Sequence, residues 1–141
     1  MSRASDLANL IASGSTTIQG EAGVTSSDLT GKTTNLQQGL AKAWWDLNGT
    51  GTVALRDSFN ISSVADDGTG EYDPTFTNNM GNANYSFLGF CGGASSNNGY
   101  ARLGNDETPT ASAYNINTMT NTGSGSKDHN YVLSAVFGDL A

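Results

Sequence analysis

From Leu40 onward, short runs rich in β-branched and aromatic residues alternate with clusters of Gly, Asn and Asp. That rhythm, repeated about every ten residues, is the pattern of an all-β sandwich or barrel. Strands are expected near residues 41–47, 52–57, 59–65, 71–77, 84–91, 99–103, 112–120 and 130–137. The clearest alternation places Val53, Leu55, Phe59 and Ile61 on one parity. Asp57 breaks it, and a carboxylate in an apolar register predicts a bulge or a strand break rather than a buried charge. Asp66-Asp67-Gly68-Thr69-Gly70 and Asn97-Asn98-Gly99 are turn clusters, because Asn and Gly accept the positive φ of tight hairpins. Along the last strand, Tyr131, Leu133, Ala135 and Phe137 alternate with Val132, Ser134 and Val136. Apolar residues on both parities predict a strand covered on both sides, at the centre of a sheet or beneath a neighbouring subunit.

Upstream of Leu40 the pattern is different. Leu7, Leu10 and Ile11 fall on one face at helical spacing behind a Ser2 or Ser5 cap, which predicts a short N-terminal helix. From Thr16 to Gly39 the chain is rich in Thr, Ser and Gly, with only Ile18, Val24, Leu29 and Leu36 as widely spaced apolar residues. Such a stretch buries too little surface to fold alone. Residues 1–39 are therefore expected to be an attachment arm that lies across a partner, and residues 40–141 the β-sandwich domain.

Composition narrows the function. Charged residues make up 13% of the 141-residue chain, and 13 acids against 6 bases give a net charge of -7. Binding to nucleic acid phosphates would run against that field, so no nucleic acid partner is expected. No apolar stretch approaches the roughly 20 residues that cross a bilayer, and Met1 to Ile11 lacks the apolar run of a signal peptide, so neither membrane insertion nor Sec-type export is expected. One cysteine, Cys91, and one histidine, His129, do not build a Cys/His zinc centre.

Each chemical motif meets a plainer explanation. Gly31-Lys32-Thr33 resembles the end of a phosphate-binding loop, but Ser26 stands where that loop needs its first glycine. His129 follows Asp128, yet no Gly-x-Ser-x-Gly elbow exists, and the histidine reads as an exposed loop residue. Asp66, Asp67, Glu71 and Asp73 offer hard oxygen ligands for Ca²⁺ without the spacing of a known calcium loop, so a polar hairpin is favoured there. Cys91, with no neighbouring cation, reads as a small buried hydrophobe. No catalytic residue, cofactor or metal site is expected, and the protein is read as a non-enzyme. Trp44 and Trp45 are adjacent, so in a strand they face opposite sides of the sheet. One suits the core and the other needs a second cover: a neighbouring protomer by preference, or a carbohydrate ring, or a loop.

The run Ala41-Lys42-Ala43-Trp44-Trp45-Asp46-Leu47-Asn48-Gly49-Thr50-Gly51, continuing through Val53 to Ser63 and Asp67-Gly68-Thr69-Gly70, resembles a domain of tail-fibre and other virion proteins of tailed bacteriophages, particularly phages of marine bacteria. The likeness extends to Pro74-Thr75-Phe76-Thr77, Met80, Asn84-Tyr85 and Val132 to Asp139, and to the opening Ser2 to Ala8. It implies an antiparallel, jelly-roll-like β-sandwich presented as a homotrimer on a virion, and it carries no catalytic residues. With only 39 residues before the domain, a short surface appendage of fibre or decoration type is expected, assembled in the host cytoplasm and mounted on capsid or tail proteins through residues 1–39. Trp44, Trp45, Tyr131 and Phe137 are the candidate trimer-interface residues. Asn97, Asn98 and Tyr100 are the candidate exposed tip, where contact with a host glycan or surface protein is expected. The competing expectation is a free carbohydrate-binding module.

Overall fold

The computed structural model describes residues 39–93, 98–104 and 108–141 in full, and 23–25 and 33–35 by their backbone. The helix expected within residues 1–11 lies outside the described residues. The chain divides into two units, Met1–Gly39 and Leu40–Ala141. In the first, β1 (Gly23–Thr25) and β2 (Thr33–Asn35) pair antiparallel, with Val24 opposite Thr34.

The second unit holds β3 (Ala43–Asn48), β4 (Ala54–Phe59), β5 (Ile61–Gly68), β6 (Glu71–Phe76), β7 (Ser86–Gly92), β8 (Gly99–Leu103), β9 (Ile116–Thr120) and β10 (Tyr131–Phe137). Two antiparallel four-stranded sheets result, in the orders β4-β3-β10-β7 and β5-β6-β9-β8. Chain neighbours β3 and β4, β5 and β6, and β8 and β9 pair within one sheet. This connectivity of in-sheet hairpins differs from the strand-by-strand alternation between sheets of the expected jelly-roll-like sandwich.

All eight expected segments contain a strand, and the largest boundary shift is at β9. Residues 112–115, expected as strand, instead form a bend with one isolated bridge, Ala113 to Thr75, because the Thr110 hydroxyl accepts from the amides of Ser112 and Ala113. Phe76 N–H then donates to Ser112 O at 2.8 Å, so this loop covers the outer half of β6 where β9 no longer pairs with it.

Period-2 alternation builds the core. Ala43, Trp45 and Leu47 of β3 and Val132 and Val136 of β10 point inward from one sheet, and they meet Tyr72, Phe76 and Ile116 of the other, with Met80 and Tyr114. Each large apolar side chain fully buried this way contributes about 1.5–3 kcal/mol.

Two local irregularities decide which side chains face outward. The β3–β4 register slips between Asp46 and Leu47, so Asp46 opposes Asp57 while Leu47 opposes Leu55, leaving Arg56 as the extra residue. The sequence placed Leu55 and Phe59 on one face. The bulge inverts the parity between them, so Leu55 packs against the core while Phe59 is 52% exposed. Next, Asn60 has φ of 58°, the left-handed conformation that Asn tolerates better than other non-glycine residues. Its Nδ2 donates to Lys42 O and Asn78 O at 3.0 Å, and its Oδ1 accepts from the Asn78 amide at 2.7 Å. This pinned corner passes the chain from one sheet to the other in a single residue, and Ile61 resumes facing the core.

Candidate functional site on the outer face of one sheet

The sheet β4-β3-β10-β7 has an apolar inner face, as a sandwich requires, and an outer face that is also apolar. Strand register arranges that outer face in rows. Phe59, Trp44, Ala135 and Leu88 lie side by side across the four strands, and Asp57, Asp46, Leu133 and Phe90 form the next row. Tyr131 follows one row further along β10. Leu88 and Phe90 are 53% and 64% exposed, and Trp44, Leu133 and Tyr131 are exposed as well. With Phe59, these six side chains leave roughly 600 Å² open, at the upper limit of the largest patch on an ordinary monomer.

Ala135 is the small residue in a row of large ones. Above it lies an open groove of about 330 Å³, walled by Trp44, Asp46, Leu88, Phe90 and Leu133. Its lining is almost wholly apolar. A sugar would find little to hydrogen-bond there, whereas an apolar side chain would lose only water.

One end of the face is strapped by Arg56, the bulge residue. Its Nη1 donates to Asp46 Oδ1 and to Leu47 O, both at 2.9 Å, and its Nη2 donates to Asn130 O at 2.6 Å. The guanidinium lies 4.3 Å from the centroid of the Tyr131 ring. The ion pair is half-exposed, so it is worth about 0–1 kcal/mol. Its larger effect is to fix the Tyr131 ring and neutralise Asp46 at the groove's rim.

Of the four interface candidates, Trp44, Tyr131 and Phe137 share the outward parity, and Phe137 is half-buried. Trp45 faces the core at 1% exposure, donates its indole N–H to Tyr114 Oη at 2.9 Å, and so is unavailable to another subunit. Sequence reasoning missed Phe59, Leu88, Phe90 and Leu133 as outer-face residues. The signal for two of them was present: Phe87, Leu88, Phe90 and Cys91 are apolar on both parities of β7, as in β10.

Of the exposed-tip candidates, Tyr100 belongs to β8 of the other sheet and is exposed, Asn98 is exposed just before that strand, and Asn97 lies outside the described residues. Asp66 and Asp67 end β5 at the hairpin with β6, where Gly70 at φ 69° closes the turn and donates its amide to Asp128 Oδ1 at 2.6 Å. A hydrogen bond with Asp73, then burial and the Asp73 charge, hold the Asp67 carboxyl above the usual carboxylate range. Among the described residues, no three His, Cys, Asp or Glu side chains are grouped as metal ligands.

His129 is a correction. It was expected as an exposed loop residue, but it is fully buried, with Nε2 3.1 Å from Met119 O. Gly99 makes this possible: a Cβ there would overlap both Met119 O and the imidazole. Cys91 is half-buried on the core side of β7, and burial pushes its thiol pKa up. In comparisons with protein-family models, with characterised proteins and with solved structures, the chain matches none.

Proposed function

We propose that this protein is a structural subunit of a tailed-bacteriophage virion, a short homotrimeric surface appendage of fibre or decoration type. Residues 1–39 mount it on capsid or tail proteins, and the end carrying Asn98 and Tyr100 meets a host glycan or surface protein. The observation that supports a multi-copy role is the apolar outer face of the β4-β3-β10-β7 sheet on a chain with only 13% charged residues. Patches at that upper limit are often functional contact surfaces. The placement on a phage particle rests on the resemblance of residues 41–77 and 132–139, and a trimer closes such faces without leaving one open.

Mass spectrometry of gradient-purified particles of the encoding phage tests the reading. It predicts the chain in every particle, in a copy number divisible by three. Its absence from particles would refute the proposal. A glycan array with binding to host cells tests adhesion separately, since loss of both signals removes adhesion and leaves the structural role.

A further inference from the structure

We infer that the groove above Ala135 receives the Phe59 side chain of a second copy of this chain, so that trimer contacts run head to tail. The inference rests on the multi-copy reading above and specifies how the copies touch. Four observations carry it.

The first is area. The roughly 600 Å² of open apolar side chain, Phe59 and the groove walls together, is as much as the largest patch an ordinary monomer leaves open, and in a ring each copy shares it between two contacts. The second is the chemistry of the groove. At about 330 Å³ it exceeds the roughly 150 Å³ in which a benzene ring is held by apolar walls, and Asp46, its only charged wall, is already paired with Arg56. The partner group is therefore an uncharged ring rather than a sugar or a peptide backbone.

The third is the supply of such a ring. Phe59 is half-exposed at the last position of the edge strand β4, and the next residue is the Asn60 corner, held by four hydrogen bonds of its side chain to Lys42 and Asn78. Its backbone is thereby fixed, so little conformational freedom is lost when it docks. The fourth is geometry within one chain. Phe59 sits two strands from Ala135, roughly 10 Å away, and Trp44 stands between them. Phe59 does not reach its own groove. A face that carries both knob and hole can engage one copy reciprocally or two copies in turn, and the second arrangement, which closes into a ring when the rotation permits, is the one a trimer requires.

The test uses two variants of the full chain with complementary defects. Phe59→Ser removes the knob and keeps the groove, while Ala135→Trp fills the groove and keeps the knob. Light scattering across a concentration series should show wild type as a trimer and each variant weakened in self-association by about 30-fold or more. Mixed one to one, the two variants should form a heterodimer, because the Phe59 of one enters the free groove of the other. Circular dichroism identifies any variant that misfolds, and Phe59→Leu and Ala135→Met then replace it.

A monomeric wild type, a Phe59→Ser variant that still trimerises, or weakened variants that do not pair when mixed would each overturn the inference. The virion reading fails separately. A chain that trimerises through Phe59 but is absent from particles keeps this contact and loses the virion role, whereas particle-bound copies that do not touch through Phe59 do the reverse.

Discussion

Trp45 and Tyr114 join the two sheets through a buried hydrogen bond of 2.9 Å, from the indole nitrogen on β3 to the phenol that leads into β9. Tyr114 Oη lies 2.8 Å from Ser134 Oγ on β10, so one hydroxyl serves two strands of the opposing sheet. Three polar atoms are satisfied in the centre of an otherwise apolar core, around which the rings of Phe76, Tyr85 and Phe87 pack against Tyr114.

Removing that hydroxyl strands two buried groups. Tyr114→Phe is expected to cost about 2 kcal/mol in urea unfolding, since an unpaired buried donor or acceptor costs roughly 1–3 kcal/mol. Ser134→Ala should cost less in the Tyr114→Phe background than alone, because its partner is already gone. Equal costs in both backgrounds would contradict the shared hydrogen bond.

The Asn60 corner separates backbone from side chain. Asn60→Gly keeps access to φ of 58° and loses the hydrogen bonds, for a cost of about 1 kcal/mol. Asn60→Ala loses both, for about 2–3 kcal/mol. Equilibrium unfolding of the pair measures the difference.

Gly99 is expected to be intolerant of any side chain. Gly99→Ala drives a methyl into Met119 O and the His129 ring, and destabilisation of at least about 2 kcal/mol should appear as a lowered unfolding midpoint. Gly125→Ala, where a methyl meets nothing within 4 Å, is the control and should change stability by less than about 0.5 kcal/mol.

Alkaline pH should weaken the fold in a definite window. Burial raises the phenols of Tyr72, Tyr85 and Tyr114 above the ordinary value of 10.0, with Tyr85 pushed up to about 12. Their folded values lie above their unfolded ones, so their contribution is intact below pH 10. It is lost as pH rises from there through the folded values, because the unfolded chain releases these protons first. Phenolate absorbance followed alongside circular dichroism should show these three tyrosines ionising with unfolding rather than before it.

Much of the architecture was legible because each strand carries its own period-2 pattern and its own turn chemistry. Trp44 and Trp45 show how far that reaches: adjacency alone sends them to opposite faces, and the core took Trp45. What escaped the sequence depends on contacts between distant residues. The inversion of Phe59 comes from one bulge residue, Arg56, whose position is set by pairing with β3. His129 is buried because Gly99, thirty positions earlier, leaves room for its ring. The sandwich was legible, but its departure from jelly-roll-like connectivity was not, since local patterns mark strands and leave the pairing of β10 with β7 unspecified.

In the proposed assembly, other copies of the chain cover the outer face that carries Trp44, Phe90 and Leu133. Sedimentation equilibrium of the full chain at micromolar concentration weighs the species that results. A species of three times 14.6 kDa, converted to single chains by Phe59→Ser, is the predicted result. A 14.6 kDa species that persists as concentration rises would contradict the account.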